Sequence, residues 1–309
     1  MKDLFQSQEY LDFLRNTHLL EPFDFSVQRE DRIVGYMRGY IQQDGGKMKR
    51  FLSRRAIVNA GPYLAEDITR EEVKELLQKC ILELKKKVIY IETRNFKDYS
   101  AFRTAFEKAG FQYEPHYDFI IDTKDVETVE AHMGKSRKRD VRLSLKSGAS
   151  IVDDPTREEV IAFYGVLKEL YQTKVKTPLF PLSFFETLFS TSFSKFILVR
   201  YENEIVGGTV CVYDEETVYE WFACGKDGVF KNVFPSTMAT YYGIMFAAEN
   251  GFKRFDMMGA GAPGDGGYGV REFKAKFGGE LVEYGRFRYV ANKPLYSLGK
   301  LAVGLMKKL

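Results

Sequence analysis

The chain has 309 residues, 45% of them hydrophobic and 29% charged, enough for two ordinary cores rather than one. Its 46 basic and 43 acidic residues leave a formal net charge of +3, which excludes a surface built throughout for nucleic acid, so any anion site must come from local clustering. Cys80, Cys211 and Cys224 form no C-x-x-C pair, the first residues lack a basic segment followed by an apolar one, and no run of about 18 apolar residues occurs. The expectation is a protein folded throughout, in a reducing cytoplasm, with nothing spanning a membrane.

In chain order, Ser7 caps a first helix that turns Tyr10, Phe13 and Leu14 inward. Residues 23–28 and 32–42 alternate as a hairpin turning at Glu30 and Asp31. Residues 56–58 read as a strand stopped by Gly61 and Pro62, and Thr69 caps a helix carrying Val73, Leu76, Leu77, Cys80, Ile81 and Leu84 at helical spacing. A buried strand at 88–92, a short helix at 99–108, a stop at Gly110 and one strand over 111–121 follow.

A basic helical stretch occupies 126–148, with further helices at 158–171 and 182–189. Strands at 196–200, 204–213 and 217–225 make a second meander, and Ser236 caps a long helix at 237–249. The order strand, helix, glycine stop, strand then returns: 252–257, 270–276, Gly278-Gly279 and 281–290. The wording returns too, since Ala105-Phe-Glu-Lys-Ala-Gly-Phe leads into Tyr113-Glu114 and Phe273-Lys-Ala-Lys-Phe-Gly-Gly leads into Glu283-Tyr284. Either duplication or shared strand-helix-strand chemistry accounts for this. The pattern predicts an α+β protein of two domains, 1–123 and 124–309, each with a mixed sheet flanked by helices.

Gly259-Ala-Gly-Ala-Pro-Gly264 matches G-x-G-x-x-G between a strand and a helix, with Glu283 about twenty residues on. Pro263 and the further Gly266, Gly267 and Gly269 delay the helix, and some 45 remaining residues are too few for a dinucleotide domain. What survives is a loop that lets backbone approach a ligand and a helix start that offers amides to an anion or oxyanion; the alternative is a plain surface loop.

The helix after it sets Phe273 and Phe277 on one face and Arg271, Lys274 and Lys276 around the rest, so Lys274 reads as a phosphate contact and Phe273 as a stacking platform. The segment 135–146 has six basic residues against one acid, Arg139 and Arg142 among them, with Lys138, Arg142 and Lys146 four apart; it is a solvated face or a phosphate and RNA-backbone contact.

Glu220, next to the only tryptophan, Trp221, reads as a general base if burial raises its pKa, or as a strand-edge carboxylate. Asp256, just before the glycine loop, caps that loop or orients an amine. His18, His116 and His132 show no metal-ligand spacing with the cysteines, so neither a metal nor a cysteine nucleophile is expected. Residues 295–309 form an amphipathic helix that packs on the second domain or touches an anionic membrane surface.

Three stretches carry a family resemblance: Asn232-Val-Phe-Pro-Ser236; Ala248-Glu-Asn-Gly-Phe-Lys-Arg-Phe-Asp256; and Gly269-Val-Arg-Glu-Phe-Lys-Ala-Lys-Phe-Gly-Gly-Glu280. Together they resemble the FemABX family of peptidoglycan bridge-forming aminoacyltransferases. The basic segment 135–148 resembles that family's Arg/Lys helix, and Asn59-Ala-Gly-Pro62 its first-domain turn. The resemblance implies two GNAT-like (acyl-CoA N-acyltransferase-like) domains in tandem, without the coiled-coil arm of some members. It implies aminoacyl-tRNA as donor and an amine of a muropeptide or lipid-linked precursor as acceptor; no cofactor is expected, and the helix at 295–309 offers peripheral contact with the inner membrane surface.

In that likeness Lys274 meets a donor phosphate and Phe273 the adjacent adenosine; from the residues themselves, Arg271, Lys276, Gly266, Gly267, Gly269, Arg139, Arg142 and Trp221 are expected to line substrate. Lys274 and the loop amides stabilise charge, and Glu220 or Asp256 takes the proton. Acyl-CoA is the alternative donor, and a non-catalytic RNA- or precursor-binding module the alternative role. The Q/R-x-x-G-x-G/A loop of acetyl-CoA enzymes is replaced here by Lys226-Asp-Gly-Val-Phe-Lys-Asn232.

Overall fold

A computed structural model describes residues 3–17, 20–43, 53–265 and 269–306, with side chains described as far as residue 301. The elements are α1 (Gln8–Asn16), β1 (Leu20–Arg29), β2 (Arg32–Gln42), β3 (Arg55–Ala60), β4 (Tyr63–Leu64), α2 (Arg70–Leu84), β5 (Tyr90–Asn95), α3 (Arg103–Lys108), β6 (Gln112–Glu114) and β7 (Tyr117–Asp122). After these come α4 (Val126–His132), α5 (Lys135–Lys146), β8 (Ser150–Val152), α6 (Arg157–Leu170), α7 (Leu182–Phe189), β9 (Ser194–Tyr201), β10 (Glu204–Tyr213) and β11 (Thr217–Gly225). The last are α8 (Pro235–Glu249), β12 (Arg254–Asp256), α9 (Gly269–Ala275), β13 (Glu280–Glu283), β14 (Arg286–Val290) and α10 (Lys293–Met306). No described helix is long and apolar enough to cross a membrane.

Two compact units result: 1–116 with 283–309, and 117–282. The first sheet runs β1-β2-β3-β5-β14-β6, with β4 beside β2, and the second runs β13-β7-β12-β11-β10-β9-β8. In the first unit α2 lays Val73, Leu76, Leu77, Cys80 and Leu84 on Val58, Ile91 and Phe287. Its start is set by Thr69, whose hydroxyl accepts from the Glu72 amide while the Glu72 carboxylate accepts from the Thr69 amide. In the second unit α8, apolar almost all round, packs on β10 and β11 through Ile244, Ala247 and Ala248.

Two strands read as single from sequence are each divided between sheets. Residues 111–121 break at Pro115, which lacks a ladder donor, so β6 joins the first sheet and β7 the second. Residues 281–290 break at Gly285, whose φ of +66° an L side chain rarely adopts, so β13 joins the second sheet and β14 the first. The sequence-based border at 123 and a wholly second-domain C-terminus are thereby corrected: β7 belongs to the second unit, and residues 283–309, α10 included, to the first.

The single helix expected over 126–148 breaks between His132 and Lys135, where the Gly134 amide donates to the Lys276 carbonyl. Ser236 does not cap its helix; Phe234 stands at that position, Pro235 opens the helix, and the Ser236 amide donates to Asp227.

Candidate active site

Three strands of the second sheet bring carboxylates together. β12 lies between β7 and β11, with Asp256 opposite Ile120 on one side and Tyr219 on the other. Asp118 on β7, Asp256 at the end of β12 and Glu220 on β11 are 5%, 1% and 5% exposed, and Lys274 on α9 is 9% exposed. Such groups stay buried only when paired and hydrogen-bonded.

The Lys274 ammonium donates to the carbonyls of Met257 and of Gly259, the latter at 2.8 Å. Asp118 and Asp256 are hydrogen-bonded to each other. Burial, then the neighbouring Asp118 charge, pushes Asp256 well above the usual carboxylate range. Burial raises Asp118 as well, against the pull of Lys274. Glu220 is raised chiefly by burial, with Lys274 opposing; its Oε1 lies 2.7 Å from the Thr240 hydroxyl and 3.3 Å from that of Thr209.

The glycine-rich loop is pinned over this cluster. The Met257 amide donates to Phe119, Met258 to the Asp256 carboxylate at 2.7 Å, Ala260 to Tyr117 and Ala262 to Asp265. Arg271 donates to the carbonyls of Ala260 and Ala262 and lies 5.0 Å above the Tyr117 ring. The loop amides that the sequence offered to an oxyanion are therefore engaged at 257, 258, 260 and 262. Gly266 and Gly267 lie outside the described residues, and Gly269 begins α9.

Glu220, Asp256 and Lys274 thus come together, while the Lys274 ammonium faces carbonyls rather than open solvent. Phe273 is half-buried and stacks under the Arg137 guanidinium at 4.3 Å, with Phe277 at 5.2 Å. Trp221 points to the opposite face of β11 from Glu220, 5.4 Å from Phe184. Lys276, Arg139 and Arg142 are exposed, and Arg139 pairs with Asp140 at 2.8 Å. None of these four joins the acid–lysine cluster.

The sequence reading missed Asp118, an acid heading the apolar run Phe119-Ile120-Ile121, and the two threonines around Glu220. It also missed Arg137 as a buried anchor: 9% exposed, it donates to the Thr237 hydroxyl at 3.2 Å and the Phe273 carbonyl at 3.3 Å. Among the described residues no group of His, Cys, Asp and Glu has an arrangement fit for a metal ion.

A separate open groove of about 510 Å³ is lined by Glu158, Glu159, Glu169, Arg200, Glu204 and Lys226 and shares no residue with the cluster.

Residues 189–303 match the FemAB family. No curated protein sequence matches the chain. Among solved structures the chain is similar to FemX (TM-score 0.71, 15% identity, 96% of this chain and 94% of the other covered). It is similar also to L-PGS from Bacillus licheniformis (0.60, 16%, 96% and 92%). A third is a tandem GNAT protein from the clavulanic acid biosynthesis pathway (0.56, 10%, 92% and 94%). These likenesses show the tandem GNAT-like α+β fold along nearly the whole chain, and no coiled-coil arm appears among the described residues. The chain is thus similar to the FemAB family over residues 189–303 and to FemX in its fold.

Proposed function

We propose that this protein transfers an aminoacyl group from aminoacyl-tRNA to an amine of a peptidoglycan precursor. The observation that carries the reading is α9, inside the FemAB-matched region: it presents a half-buried Phe273 beside a Lys274 held by two carbonyls above a buried acid pair.

The ester of aminoacyl-tRNA is already activated, so positioning and charge stabilisation suffice. The acceptor nitrogen attacks the ester carbonyl, a C–N bond forms, the C–O bond to the ribose breaks, and the amine proton ends on the leaving ribose oxygen. Phe273 supplies an aromatic surface for the donor's terminal base, with Arg137 fixing its other face. Lys138, Arg142 and Lys146, with Arg139 and Lys276, provide exposed cations for RNA phosphates. Lys274 positions the loop through the Met257 and Gly259 carbonyls, next to the buried Glu220 and Asp256.

Acyl-CoA is disfavoured as donor by Asp227. Its carboxylate accepts from the Ser236 amide at 3.2 Å at the start of α8, placing a negative charge where a helix N-terminus would otherwise attract a pyrophosphate. The test is activity in cell extract with and without RNase. Loss after RNase supports the tRNA donor, whereas full activity with added acyl-CoA after RNase overturns it.

A further inference from the structure

The first unit holds a second charged cluster, independent of the acyl-transfer reading. On the antiparallel β5–β14 pair, Arg94 stands directly opposite Arg286, and Glu92 opposite Arg288. Like charges directly opposite one another work against strand pairing unless something neutralises them. Glu92, 2% exposed, is the shared counter-charge: its oxygens lie 2.9 Å from Arg94 Nε, 3.2 Å from Arg288 Nε and 3.8 Å from Arg286 Nη1.

Arg288 is fully engaged, because its Nη1 also donates to Glu114 at 2.7 Å and to the Tyr296 hydroxyl at 2.7 Å. Arg94 is not: beyond Nε, it makes no hydrogen bond among the described residues. Arg286 Nη2 lies 3.0 Å from His116 Nε2. Three guanidinium groups against two carboxylates leave one positive charge in excess. The side chains of Arg94 and Arg286 keep 35% and 28% exposure, so that charge can be reached from solvent. Burial pulls Arg286 below the ordinary arginine range; Glu92 opposes this, and Arg94 and Arg288 add to it.

We propose that Arg94 and Arg286 form a binding site for a tetrahedral or planar oxyanion, a phosphate or a carboxylate, gripped between two guanidinium groups that Glu92 aligns. Paired guanidinium donors match such oxygens in a forked geometry that lysine does not reproduce.

The test is isothermal titration of the full-length protein with inorganic phosphate and, separately, acetate, at low salt. Arg94→Gln, Arg286→Gln and Arg94→Lys are compared with Arg15→Gln, an exposed arginine on α1. The expected result is saturable binding that weakens about tenfold or more in both Gln variants and is unchanged in Arg15→Gln. The tighter of the two probes identifies the ligand's anionic group.

Should a Gln variant fail to fold, Arg94→Lys carries the test, since retained charge without the fork still weakens binding. Equal affinity in wild type and variants, or no binding of either probe to wild type, overturns the proposal. So does a fall in Tm with unchanged affinity, which marks a purely structural cluster. None of these readouts involves aminoacyl transfer, so failure here leaves that reading intact, and the reverse.

Discussion

Replacing Lys274 by Met keeps most of the side-chain volume and removes only the ammonium. Two consequences follow from its surroundings. The carbonyls of Met257 and Gly259 lose their donor, at about 1–3 kcal/mol for a buried group left unsatisfied. The buried Asp118 and Glu220 also lose the positive charge that opposes the effect of burial on them.

The two losses overlap, because the acids can neutralise themselves by taking up a proton. We expect a total loss of about 1–3 kcal/mol at neutral pH. The pH dependence has a definite sign. Without Lys274, Asp118 and Glu220 rise further above the ordinary carboxylate range, the folded state binds more protons than the unfolded one, and stability falls as pH rises through that window. Lowering the pH therefore recovers part of the loss.

Trp221 is the only tryptophan and lies in the second unit, so its fluorescence during urea unfolding reports that unit alone. A deficit below about 1 kcal/mol, or one that does not shrink on acidification, would refute the buried-cluster account.

Gly278 has a φ of +88°, and a Cβ there would lie 2.3 Å from the His132 carbonyl oxygen, so Gly278→Ala should lower the second unit's stability by at least about 1 kcal/mol in the same Trp221 assay. Gly264→Ala, with nothing among the described residues within 4 Å of the added carbon, should change it little.

In the first unit, burial alone would raise Glu92, but Arg94, Arg286 and Arg288 outweigh it and hold it at about 2. Its contribution is thus present above the ordinary carboxylate pKa and lost as pH falls from there toward about 2. Acid unfolding of Glu92→Gln followed by circular dichroism should show a flatter pH dependence than wild type. Arg137→Leu should loosen α9, through loss of the Thr237 and Phe273 hydrogen bonds, and accelerate hydrogen exchange at 269–277 relative to β10.

Periodicity and capping carried most of the element reading. Ser7 and Thr69 hold amides as their spacing requires, and the hairpin turns at Glu30-Asp31, with one register shift between Val27 and Gln28. Sheet membership was out of reach, since Pro115 and Gly285 each interrupt a run that alternates smoothly on both sides. Local patterning neither marked these breaks nor says which sheet each half joins.

The site divided in the same way. Lys274, Asp256 and Glu220 stood out by chemistry next to a glycine run or a tryptophan. Asp118 did not, because its part depends on β7 lying beside β12, about 140 residues away in sequence. The direction of Lys274 was equally hidden. Helical spacing placed it beside Phe273, but only the folded loop shows carbonyls converging on its ammonium.

The most direct test of the central claim is a single-turnover reaction of the purified protein with radiolabelled aminoacyl-tRNA and a muropeptide precursor, read by mass spectrometry. The account predicts a product heavier by one aminoacyl residue on an acceptor amine, abolished by RNase pretreatment and strongly reduced by Phe273→Ala and Lys274→Met. Product formed at wild-type rate by both variants, or formed from acyl-CoA in the absence of RNA, would contradict it.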